Sequence, residues 1–301
     1  MGRHDVFVSE SHTATTHRNN TGTTTGGAVT LAAGGATFVV SAAPTLAFVE
    51  GQIVALTGSG KTAYCRISRV QSSTTLTLIP LQSAIDTAGA VGASFPSGST
   101  ITSSIATPVR AATVVVDLTE APFASASYLI AASGNFTTGT ASATVGACLR
   151  VSALVGDPYS GTGRDTSTGL GPSQTSVTWG TSVDELAPYM GATTVALSGG
   201  QRYEFAIEFW SATSNATATF DEAALVAVRC DTVYASASTA ETTTASTTAM
   251  NQYTLPTLPA GRYLVTATWA LGVGNTAYDV IADVDTGIAG LATVRSRLTL
   301  R

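Results

Sequence analysis

Residues 53–67 read IVALTGSGKTAYCRI, and two incompatible folds compete for them. The segment Gly58-Ser59-Gly60-Lys61-Thr62 is the tail of the phosphate-binding signature G-x-x-x-x-G-K-[ST], and Lys61 is the only lysine in the chain. That signature needs a glycine where this chain has Ala55. It also needs a helix directly after the lysine, because the first amides of that helix hold the phosphates. The residues after Thr62 are AYCRISRVQSSTTLTLI, in which Tyr64, Arg66 and Ser68 alternate with Cys65, Ile67 and Arg69. Alternation of period two is a strand. No strand ends in an aspartate suited to magnesium, and no run of βα units occurs. The segment is therefore expected to be a hairpin, with glycines supplying positive φ and Lys61 at an exposed turn tip.

The rest of the composition agrees with an all-β chain. Of 301 residues, 44% are hydrophobic and only 11% charged. Thr, Ala, Ser and Gly dominate, and small or β-branched side chains suit half-buried strands better than long helices. The net charge of −5 comes without a basic cluster, which argues against a nucleic-acid partner. The start, MGRHDVFVSESH, has no apolar core of a secretory signal. No run reaches the ~18 apolar residues of a membrane span. Cys65, Cys148 and Cys230 are odd in number and widely spaced, so buried free thiols are expected instead of a disulfide framework or metal site.

The pattern divides the chain into five segments. Residues 1–26 are polar and read as a flexible N-terminal arm. Residues 27–85 carry four short alternating runs, expected as a small β-barrel that docks on a partner. Residues 86–111, rich in Gly, Ser and Pro, read as a linker. Residues 112–230 read as a jelly-roll-like β-sandwich, with YEFAIEFW at 203–210 as its clearest strand. Tyr203, Phe205, Ile207 and Phe209 point one way, and Glu204, Ala206 and Glu208 the other.

Residues 127–150 match 262–285 at an offset of 135 without gaps, aligning Tyr128 with Tyr263, Leu129 with Leu264 and Gly139 with Gly274. This repeat makes 231–301 a partial second sandwich, opened by a Ser/Thr/Ala-rich linker at 231–249. Half a sandwich leaves an apolar face bare, which implies either an obligate homo-oligomer that covers it or a small closed domain built from few strands.

The candidate sites are few. His4, His12 and His17 are the only histidines and lie on the expected arm, which makes neither a metal site nor a Ser-His-Asp triad. Glu204 and Glu208 lie ~13 Å apart along a strand. Paired glycosidase carboxylates need roughly 5–9.5 Å, so a solvated face is expected there. The long polar loop at 155–176 places Asp157, Tyr159, Arg164 and Asp165 together, a set that could meet an ion or a sugar. Trp179 and Trp210 could stack on a sugar ring, and Trp210 points away from the main apolar set. No catalytic group, cofactor or metal ligand emerges.

Three segments carry a resemblance. VEGQIVALTGSGKTAYCRISRVQSSTTLTL resembles the small β-barrels of phage head and tail accessory proteins. LSGGQRYEFAIEFWSATSNATATFDEAALVAV and LPAGRYLVTATWALGVGNTAYDVIADVD resemble jelly-roll domains of phage decoration and fibre proteins, and also carbohydrate-binding modules. The likeness to tailed-bacteriophage virion proteins implies a non-enzymatic structural subunit, trimeric, assembled in a host cytoplasm. It would decorate or project from a capsid or tail, with the major capsid or tail protein as partner. The other likeness implies an adhesin that binds host-surface glycan.

Overall fold

The computed structural model describes residues 5–32, 35–41, 43, 46–85, 92–103, 107–153, 175–178, 187–230, 279–284 and 294–299. Every regular element among them is a β-strand, so the chain is all-β, of the sandwich or barrel class. The chain divides into two compact units, residues 1–235 and 236–301.

The hairpin that opened the question is real. Strand β6 (Ile53–Gly58) pairs antiparallel with β7 (Lys61–Ser72), Gly58 opposite Lys61, leaving Ser59-Gly60 as a two-residue loop. Ser59 has φ 51° and Gly60 φ 71°, the pattern of a type I′ turn. That turn matches the twist of the strands it joins. The Lys61 backbone pairs in the ladder, so no helix amides are available to cradle a phosphate. Lys61 itself is half-exposed beside the tip.

Around this hairpin, β3 (Asn20–Thr24), β5 (Ala36–Val39), β8 (Thr75–Ile85) and β10 (Thr100–Ser103) complete a six-stranded sheet in the order β3-β10-β6-β7-β8-β5. It curls as a half-barrel over a core that includes Leu31, Leu56, Ile67, Leu76, Leu78 and Phe95. Two short strands, β4 (Val29–Thr30) and β9 (Ser94–Phe95), pair beside it. The expected linker at 86–111 is thus largely structure: Phe95 and Ile101 are fully buried. Gly92 and Gly98, both at positive φ, turn the chain on either side of β9.

The sandwich is built from two sheets. In one, β1 (Val6–Ser11) and then β2 (Thr15–Arg18) lie along β17 (Thr217–Cys230), followed by β12 (Ser125–Thr137) and β15 (Ala187–Ser198). In the other, the order is β11 (Val109–Asp117), β16 (Arg202–Ser211), β13 (Thr144–Ala153) and β14 (Thr175–Thr178). Inward residues of both sheets form one core. Phe220 is its centre, within 5.4 Å of Phe209, 5.8 Å of Tyr189 and 6.2 Å of Phe136, ring centre to ring centre. Such tilted and edge-on aromatic pairs add to the stabilisation from burial.

The expected N-terminal arm is therefore overturned. Residues 6–24 are three paired strands, and Phe7 packs on the sandwich core. Their polar composition reflects one exposed face and short strand length, not disorder. His17 is fully buried, its Nδ1 accepting a hydrogen bond from the Ser211 amide at 3.0 Å. His12 stays exposed beside Glu10, and His4 lies outside the described residues.

In the C-terminal unit, β18 (Asp279–Val284) pairs antiparallel with β19 (Val294–Thr299). The rest of the expected second sandwich, and most of the second repeat copy, lies outside the described residues.

The hairpin yields a direct test. Gly60→Ala places a side chain at positive φ and should cost about 1 kcal/mol, read from denaturant unfolding. Lys61→Ala should leave stability unchanged, and ATP with magnesium should not raise the melting temperature.

Candidate functional site

Strand β16 presents two faces, and both are buried. Phe205, Ile207 and Phe209 enter the sandwich core, as the alternation requires. On the opposite face Glu204, Glu208 and Trp210 are only 8%, 3% and 9% exposed. The expected solvated face is thus a buried one.

Cross-strand register explains how two carboxylates tolerate this. Glu208 stands opposite Arg110 on β11 and Cys148 on β13, while Arg150 stands opposite Ala206. The Arg110 guanidinium donates to the Glu204 carboxylate and lies 3.5 Å, Nε to Oε1, from Glu208. Arg150 Nε lies 3.8 Å from the other oxygen of Glu208. Two positive and two negative charges thus interlock on one sheet face. A lone buried charge would be prohibitive, whereas a paired set offsets its own desolvation. The register bulge between Arg110 and Ala112 sits beside this pairing.

Next to the ions, the indole of Trp210 lies against Gly146. A Cβ at Gly146 would come within 2.6 Å of the ring, so only glycine lets β13 pass beneath it. An indole buried in this way offers no open face to a sugar ring. Asp157, Tyr159, Arg164, Asp165 and Trp179 lie outside the described residues.

The chemistry of the cluster is structural. Each carboxylate already has a guanidinium partner. Cys148 shares the face, but burial pushes its thiol up to about 12, with the Glu208 charge adding to the rise and Arg150 opposing it. It is therefore a thiol, not a nucleophilic thiolate, at neutral pH. Burial alone pushes Cys65 up to about 12 in the half-barrel core. All three cysteines are free, and Cys230 is half-buried. Among the described residues, no group of three or more His, Cys, Asp or Glu is placed to hold a metal ion.

A second surface lies on the other sheet. The outer faces of β1, β17, β12 and β15 align in rows across the strands. Val8, Val226, Ala131 and Ala192 form the middle row. Val6, Val228, Leu129 and Thr194 form the row on one side of it. Glu10, Ala224, Ser133 and Met190 form the row on the other, and Glu10 is the only charge in all three. The inner face of the same sheet carries Phe7, Tyr128, Ile130 and Leu225 in the core. So the sheet is apolar on both sides. Val8 is 58% exposed and Met190 49%, two of the three large apolar side chains most open to solvent among the described residues. Neither the composition nor the strand at 203–210 pointed to this surface. The alternating outer residues Val226 and Val228, in ALVAV, were the available signal.

Three measurements test the buried groups. Glu208→Ala leaves two guanidinium groups undercompensated and should cost about 3–5 kcal/mol in unfolding free energy, with Glu208→Gln costing less. In thiol labelling at pH 8, Cys230 should react first, and Cys65 and Cys148 only on unfolding. The raised thiols also fix the alkaline limb. Above the ordinary thiol value of 9.0 the unfolded chain releases protons that the native state keeps until about 12. The native state then binds more protons than the unfolded one, so stability should fall as pH rises from 9 toward 12.

No known protein family matches this sequence, and no curated protein matches it either.

Proposed function

We propose that this chain is a structural, non-enzymatic subunit of a virion, a protein whose work is binding copies of itself and neighbouring proteins of a capsid or tail. The observation that carries this reading is the sheet with two apolar faces. One face makes the sandwich core. The other leaves Val8 and Met190 open to water within a nearly uncharged field. Contiguous apolar patches of this kind mark interaction surfaces on soluble domains.

Several further features support binding over chemistry. The carboxylates of the buried cluster are matched to arginines, and Cys148 is held protonated. The P-loop-like stretch is a hairpin. The virion setting comes from the sequence resemblance, and an assembly protein is consistent with strands that are long, rich in Thr and Ala, and poor in charge. The adhesin reading loses support at Trp210, which is buried against Gly146.

Light scattering on a size-exclusion column tests the reading on the full chain. The expected mass is a multiple of 30.4 kDa that persists on dilution over about a hundredfold, as mass action requires of a tight assembly. A monomer throughout that range would remove the basis for an assembling subunit.

A further inference from the structure

We infer that the outer face of the β1-β17-β12-β15 sheet is a self-association surface, and that its occupant is the same face of a second copy, packed about a two-fold axis. This rests on the assembly reading above and gives that assembly its contact.

Area is the first argument. Four strands ~4.8 Å apart, crossed by the three rows above and a fourth of Ser127, Cys230 and Ala196, each ~6.7 Å from the next, give a face of roughly 500 Å². Two such faces together remove about 1,000 Å² from water, the size at which specific interfaces begin. Sheets pack face to face ~10 Å apart when their facing side chains are apolar and modest in size. Valine, alanine, leucine and threonine on this face fit that spacing.

Charge is the second argument, and it selects both the partner and the geometry. A face whose interior is uncharged can meet its own copy without like-charge contact. The acidic groups gather at one end of the strands, where Glu10 lies near Asp221 and Glu222 across β17. A two-fold axis parallel to the strands would set these two acidic ends against each other. An axis across the strands sets each against the Ser127 and Ala196 end of the other copy, where Arg229 pairs with Asp5 and no acidic excess gathers. The acidic ends then become the polar rim of the interface. Such a pair closes at two chains, because a face that meets itself is used up. A dimer thus replaces the trimer implied by the resemblance.

The test is made on the full chain with Val8→Glu and, separately, Met190→Glu. Both side chains are already exposed in the single chain, so each variant should keep its fold, checked by circular dichroism and melting temperature. The wild type should run at twice 30.4 kDa. Each variant should dissociate at least ~100-fold more readily, the scale of an interface hot spot. If either variant misfolds, Thr194→Lys, exposed on the same face, replaces it. An oligomer unaffected by these substitutions overturns this face while leaving the assembly reading intact. A wild-type mass of three chains overturns the two-fold. A wild-type monomer overturns both the pair and the assembly reading.

Discussion

Strand β17 is the constraint on which the sandwich depends. It is flanked on one side by β12 and on the other by the N-terminal strands β1 and β2, so it joins residues from both ends of the unit into one sheet. Its inward Phe220 meets three aromatic rings, and its inward Leu225 and Ala227 fill the core. Its outward Val226 and Val228 build the apolar outer face. At its start, the neighbouring β2 carries His17, which accepts the Ser211 amide and so ties the edge of one sheet to a strand of the other. Between β2 and β3, Asn19 donates to the Ser211 carbonyl at 2.8 Å, and Gln52, just before β6, donates to the Arg18 carbonyl at 3.0 Å. The half-barrel is thus held to the sandwich by hydrogen bonds of buried polar groups.

The two sheets solve the same problem in opposite ways. Each must dispose of an outer face after its inner face has entered the core. The β11-β16-β13 sheet carries charge on its outer face, where Arg110, Arg150, Glu204 and Glu208 interlock so that their burial is tolerable. The β1-β17-β12-β15 sheet leaves its outer face apolar and nearly free of charge. Buried ion sets bring little net stability but resist rearrangement, because any other pairing strands a charge. The apolar face is free of that constraint.

Much of this was legible in the sequence, for identifiable reasons. The turn at Ser59-Gly60 was readable because positive φ falls on glycine and its neighbour between two alternating runs. Strand β16 was readable because its four inward residues are large and strictly alternate. Other parts were hidden by composition. The strand at 6–11 looked like part of a tail because it sits among Thr, Asn and His, yet Val6, Phe7 and Val8 carry the pairing signal. Phe95 and Ile101 were submerged in glycine and serine. The ion cluster was missed because Arg110 and Arg150 are distant in sequence from Glu204 and Glu208, and only cross-strand register brings them together. Alternation alone assigns charged residues to water, and it cannot anticipate partners supplied by neighbouring strands.

The pairing of Val6 with Val228 has a consequence for how the protein is made. Ribosomes add about 5–20 residues each second, so the first strand waits on the order of ten to forty seconds before its partner emerges. Over that interval the half-barrel hairpins, which need only local contacts, can already close. The sandwich closes later, because long-range pairing delays folding. Until then β1 is an unpaired strand bearing Val6 and Val8, and β17 emerges beside β12 with one edge open. Two chains synthesised side by side could exchange their first strands, each completing the other's sheet.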